Sequence, residues 1–77
     1  MYILIEHSGL EDHLRYANKV QQYLEEEYGA TVEQIVGGGA PTLTLYSDDL
    51  RKLTELSPTD DISVLSFYIN NYYENEL

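Results

Sequence analysis

The chain has 77 residues, with 14 Asp or Glu against 4 Lys or Arg, a net charge of −10 and no cysteine. That length allows one domain, residues 1–77, whose core buries only about 60–65% of the unfolded surface. Disulfides and thiolate metal sites are excluded. The charge argues against direct nucleic-acid binding, which rests on phosphate neutralisation, and against an anionic membrane surface.

No apolar run reaches the ~20 residues of a membrane span. The apolar start Met1-Tyr2-Ile3-Leu4-Ile5 stops at Glu6-His7 and lacks the basic stretch of a signal peptide. A cytoplasmic domain is therefore expected. Residues 1–39 hold 7 acids and 2 bases, as do residues 40–77, so this is not an acidic tail on a neutral body. Apolar residues make up 43% of the chain, which argues against wholesale disorder.

In chain order, residues 2–6 read as a strand, short, apolar and β-branched at Ile3 and Ile5. Ser8-Gly9-Leu10-Glu11 has the pattern of a capping box. A helix is expected over residues 10–28, with Leu10, Leu14, Ala17, Val20, Leu24 and Tyr28 on one stripe. Gly29 stands where a left-handed residue ends a helix. Residues 31–36 and 42–46 read as strands, and the Gly37-Gly38-Gly39-Ala40-Pro41 stretch between them suits an antiparallel hairpin with a long loop. Ser47-Asp48-Asp49 reads as the start of a short helix carrying Leu50, Leu53 and Leu56. Ser57-Pro58-Thr59-Asp60 is a second start signal, with a helix to about residue 73. The competing reading of residues 62–69 is a strand, and the helix is preferred for its cap and length. The expected architecture is α+β, in the order β-α-β-β-α-α, a three-stranded sheet with helices on one face.

Most acids need no functional account. Glu11, Asp12, Asp48, Asp49, Asp60 and Asp61 fall at expected helix starts, where the dipole favours them. Glu25, Glu26 and Glu27 fall in a last turn, where it does not, and Arg15 and Lys19 lie too far upstream to pair with them. Glu74 and Glu76 repeat the pattern. Tyrosine is the second anomaly, with eight Tyr against one Phe and no Trp. Tyr supplies large contact area with a polar tip, which suits interfaces. Tyr16 and Tyr23, a heptad apart, combine with Asp12, Glu26 and Glu27 in an aromatic and acidic strip along the first helix. That strip is the candidate partner-binding site.

Other chemistry has weak support. The glycine run lacks the Lys-Ser or Lys-Thr of a phosphate loop. His7, Glu11 and His13 are ligand types for a divalent metal, but one short span does not close a coordination sphere. No catalytic motif is present, and neither an enzyme, a cofactor nor a metal is expected.

In overall character the chain resembles small phage-encoded DNA-mimic proteins: short, acidic, cysteine-free and rich in Tyr. The resemblance implies a non-catalytic inhibitor or modulator docking on a basic protein surface, one that otherwise holds nucleic acid. Carboxylates at i, i+3 or i+4 lie ~5–6 Å apart and can stand in for a row of phosphates. The alternative is a homodimeric interaction or regulatory domain whose charge serves only solubility, with the second copy covering a marginal core.

Overall fold

A computed structural model describes residues 1–37, 39, 41–56 and 62–74. The elements are β1 (Tyr2–His7), α1 (Glu11–Tyr28), β2 (Thr31–Val36), β3 (Thr42–Tyr46), β4 (Lys52–Leu56) and α2 (Ile62–Glu74). This is an α+β domain with two helices and a mixed four-stranded sheet in the order β2-β1-β3-β4. The expected three-stranded sheet and β-α-β-β-α-α order are thus corrected by one strand.

β1 takes a central place with Ile3, Ile5 and His7 turned inward and buried. Ile3 and Ile5 are fully buried, together with Leu43 and Leu45 of β3. Ile3 stands opposite Leu45 and Ile5 opposite Leu43, so one face of the antiparallel pair is continuous hydrocarbon. Ala17, Val20 and Leu24 of α1 and Leu65 and Ile69 of α2 close over that same face. Both helices therefore lie on one side. The other side carries Tyr2, Leu4, Glu6, Thr44 and Tyr46, with Tyr2 and Tyr46 in edge contact at 5.5 Å between ring centres.

The expected hairpin of residues 31–36 with 42–46 does not form. β2 runs parallel to β1 on one edge, and β3 runs antiparallel to β1 on its other side. At the end of β1 the Gly37 N–H donates to the His7 carbonyl at 2.8 Å. Two strand spacings come to ~9.6 Å, well within the reach of five residues. A loop of that length serves a hairpin or a crossover equally.

Ser47-Asp48-Asp49 opens a turn rather than a helix. The Leu50 N–H donates to the Ser47 carbonyl and the Ser47 N–H to the Arg51 carbonyl, both at 2.9 Å. Leu50 has φ +64°. This is a type I turn followed by a left-handed residue, a frequent three-residue hairpin loop. The Ser47 hydroxyl accepts from the Arg51 N–H at 3.1 Å and donates to Asp49, bonds that tie the turn together. β4 then pairs with β3, with a register shift at Leu45/Tyr46 that leaves Leu53 between Thr54 and Lys52. The bulge lets Leu53 and Leu56, three apart, both pack against the core. That spacing is what reads as a helix in the sequence.

α1 begins one residue later than expected and without a capping box. Its N-cap is Leu10, with no side-chain cap bond. Gly9, at φ +83°, turns the chain there, and a Cβ on it would lie 3.0 Å from Val36. Ser8 thus sits too far back to reach the N3 amide. Its oxygen accepts from the Leu10 N–H at 3.3 Å and bonds His13 Nδ1 at 2.6 Å. Glu11 pairs with Arg15 at 2.6 Å instead of reaching back. The expected stripe holds only from Ala17 onward. Leu14 is 41% exposed and Leu10 64%, because the helix begins beyond the strand ends. Gly29 closes α1 at φ +62°, its N–H bonded to the Glu25 carbonyl at 3.1 Å, as expected.

α2 is a helix over residues whose competing reading was a strand. The start signal Ser57-Pro58-Thr59-Asp60 lies outside the described residues, as do Asp61 and Glu76. The Tyr73 hydroxyl donates to the Tyr46 carbonyl at 2.8 Å and pins the C-terminal part of α2 to the sheet. Burial pushes that hydroxyl up to about 12.

Candidate functional site

Asp12, Tyr16, Tyr23, Glu26 and Glu27 share the side of α1 that turns toward α2 and solvent. Asp12, Glu26 and Glu27 are exposed, while Tyr16 and Tyr23 are half-buried and pack against the core. Tyr23 is committed further. Its hydroxyl bonds the Ser66 hydroxyl of α2, and its ring meets Tyr28 edge-on at 6.1 Å. Burial raises the Tyr28 hydroxyl above its ordinary value. Tyr23 therefore bridges to α2, and both tyrosines of the strip offer a partner only their outer edges. Asp12 and Glu27 stand ~22 Å apart along the axis, from the helical rise.

The acids form a second grouping across elements. Tyr2 pairs with Thr31 at the start of β2 and with Tyr46 at the end of β3. The Met1 carbonyl accepts from the Thr31 N–H at 3.0 Å, and the Met1 nitrogen lies 2.6 Å from Asp48 Oδ1. One end of the molecule thus holds the last turn of α1, with Glu25, Glu26 and Glu27 exposed, and the β3–β4 turn, with Asp48 and Asp49 exposed. Tyr73 brings the last turn of α2 to the same end. Neither helix has a base in its last turn. The cations facing these acids are the Met1 nitrogen on Asp48 and Arg51 beside Asp49, whose carboxyl is held low chiefly by the Ser47 hydroxyl. Asp48 and Asp49 belong to this end as turn residues, not as a helix start. Only strand pairing reveals that placement.

The histidines are engaged otherwise. The Gly9 N–H donates to His7 Nδ1 at 3.1 Å, so the ring proton is on Nε2, which donates to Gln34 Oε1 at 3.0 Å. Gln34 in turn donates to Gln21 at 2.6 Å and Asn18 at 2.9 Å. This network ties β1, β2 and α1 together around a buried His7. Among the described residues, no three His, Asp or Glu side chains converge as metal ligands. No described helix is long and apolar enough to cross a membrane.

On the last helix the sequence points to Tyr68, Tyr72 and Tyr73 as anchors of an alternative interface; Tyr72 and Tyr73 are half-buried against the core, and Tyr68 stays exposed. Val64, Phe67 and Tyr68 stand exposed on α2. The available signal was the absence of Asp, Glu, Lys and Arg over residues 62–73. No family model, no curated protein and no solved structure matches the chain, so its function has to be argued from these residues.

Proposed function

We propose that the protein is a non-catalytic modulator that docks its acidic end on a basic surface of another protein, one that otherwise holds nucleic acid. The observation that carries this reading is the gathering of Glu25, Glu26, Glu27, Asp48 and Asp49 at the end where both helices finish. Each helix adds roughly half a negative charge there through its unpaired carbonyls. Acids that only kept the chain soluble would gain nothing from being stacked on two negative helix ends, where each repels the others. A Lys- or Arg-rich surface recovers that repulsion as attraction, with fast and salt-sensitive association. The exposed edges of Tyr16 and Tyr23 extend the contact along α1 toward Asp12. Such a partner places the protein's work in the cytoplasm, or in a host's cytoplasm for a phage product.

Displacement from DNA-cellulose tests the proposal. Cell lysate is bound to the resin, which is then washed with the protein at constant ionic strength. The wild-type chain should release a small set of DNA-binding proteins at ~0.1 M salt, where the Debye length is ~10 Å, and fewer as salt rises. The triple variant Glu25→Gln, Glu26→Gln, Glu27→Gln should release far less. Equal release by both proteins, or none by either, would sink the proposal.

A further inference from the structure

α2 departs from the rest of the surface. Residues 62–73 contain no Asp, Glu, Lys or Arg, in a chain of net charge −10. One side of the helix is committed to the core through Leu65 and Ile69, both buried. At 100° per residue, the opposite side presents Val64, Phe67, Tyr68 and Asn71. Val64 is 40% exposed, Tyr68 43% and Phe67, the only phenylalanine, 67%. The Phe67 and Tyr68 rings meet edge-on at 5.8 Å, forming one aromatic ridge. A helix that is apolar on both sides is normally covered on both sides.

We infer that this face is a homodimer interface, with α2 packed antiparallel against α2 of a second copy and Phe67 and Tyr68 near the two-fold axis. Charge selects the occupant. Two copies repel wherever their carboxylates meet, and the outer face of α1 and the acidic end are closed to self-association for that reason. Over residues 62–73 the outer face of α2 lets a second copy approach with no ionised group. A basic partner finds no carboxylate there to pair with. Side chains at i, i+3 and i+4 form a ridge that an identical antiparallel helix can receive, as a two-fold interface requires. Asn70 and Asn71 supply a polar rim.

α2 has 13 residues and so runs ~20 Å. A single helix pair of that length falls short of the ~800 Å² per partner of a standard interface, so the dimer is weak, with a dissociation constant in the micromolar range. Its salt dependence is opposite to that of docking on a basic surface. Salt screens the repulsion between two acidic chains, so the dimer tightens as salt rises. This inference stands apart from the docking proposal, and the opposite signs separate failure of one from failure of the other.

Sedimentation equilibrium from ~1 μM to ~1 mM, at 0.1 and 1 M salt, tests it. The wild-type chain should pass from monomer to dimer, several-fold more tightly at 1 M salt. Phe67→Glu should weaken association at least ~30-fold with an unchanged circular dichroism spectrum, since a charge would be buried without a partner. Ile35→Glu, on the sheet face away from the helices, should leave it unchanged. A second measurement does not depend on Phe67. Because the chain has no cysteine, the double variant Val64→Cys, Asn71→Cys, whose two positions face each other across an antiparallel pair centred on Phe67 and Tyr68, should give a disulfide-linked dimer on mild oxidation, whereas Gln22→Cys on the outer face of α1 should not. A wild-type chain that stays monomeric throughout overturns the inference. So does a dimer that survives Phe67→Glu, or one lost only with Ile35→Glu. Sedimentation of the monomer with neutral phosphatidylcholine vesicles, abolished by Phe67→Glu, would assign the face to lipid and overturn it as well.

Discussion

Leu50 sits in a conformation that its side chain penalises. Its φ is +64°, and the left-handed region costs a residue with a Cβ ~1–2 kcal/mol. Glycine escapes that cost but gives up ~0.5–1 kcal/mol more entropy on folding. Leu50 is also 65% exposed, so its removal forfeits some packing. Leu50→Ala forfeits the same packing and keeps the strain, which makes it the reference. Leu50→Gly should exceed Leu50→Ala by ~0.5–1 kcal/mol. At ~4–8 °C per kcal/mol for a domain of this size, the two melting temperatures should differ by roughly 2–8 °C. Leu50→Asn should also exceed Leu50→Ala, since Asn tolerates the left-handed region. Thermal unfolding followed by circular dichroism measures all three, with urea m-values checking that compactness is unchanged. If glycine proves no better than alanine, the turn does not hold Leu50 left-handed in solution and the account of the β3–β4 connection fails.

Replacing Glu25, Glu26 and Glu27 together with Gln should raise the melting temperature, because like charges leave the negative end of α1; a clear drop would reveal structural contacts of these carboxylates. Gln34→Leu should cost ~1–3 kcal/mol in urea unfolding, because it strands the buried His7 Nε2–H; a neutral result would mean that His7 finds water or another acceptor. Tyr73 keeps its proton up to about 12 in the folded chain, whereas an unfolded tyrosine releases it near pH ~10. Its contribution is thus complete below pH ~10 and declines as the pH rises toward about 12. Tyr2, raised by its bond to Glu33, and Tyr28, raised by burial, act in the same direction, so Tyr73→Phe should flatten the alkaline loss only in part. At neutral pH the same substitution should cost ~0.5–1.5 kcal/mol for the lost hydroxyl bond, and an unaltered alkaline profile would contradict the assignment.

Features set by neighbouring residues were legible in the sequence. The body of α1, its termination at Gly29, the strands β1, β2 and β3, and a helix over residues 62–73 were legible from hydrophobic periodicity and, at Gly29, from a local stop signal. The acids that helix electrostatics disfavour were also visible before any coordinates. What failed had a local signal with two structural solutions. Ser47-Asp48-Asp49 places the same serine oxygen and the same right-handed residues at a helix start and in a type I turn. Leucines at 50, 53 and 56 match a helical period, and a bulge lets a strand accept Leu53 and Leu56 as well. The glycine-rich loop fits a hairpin and a crossover alike, and the choice fell to β1, whose fully buried Ile3 and Ile5 demand neighbours on both edges. Strand order couples residues some 30 positions apart, such as Tyr2 and Thr31, and no short window carries that information. The same distance hid the acidic end. Glu25 to Glu27 and Asp48 to Asp49 come together only because β1 pairs with the start of β2 and the end of β3. The outward ridge of Phe67 and Tyr68 likewise became a surface only when Leu65 and Ile69 took the other side of α2 into the core.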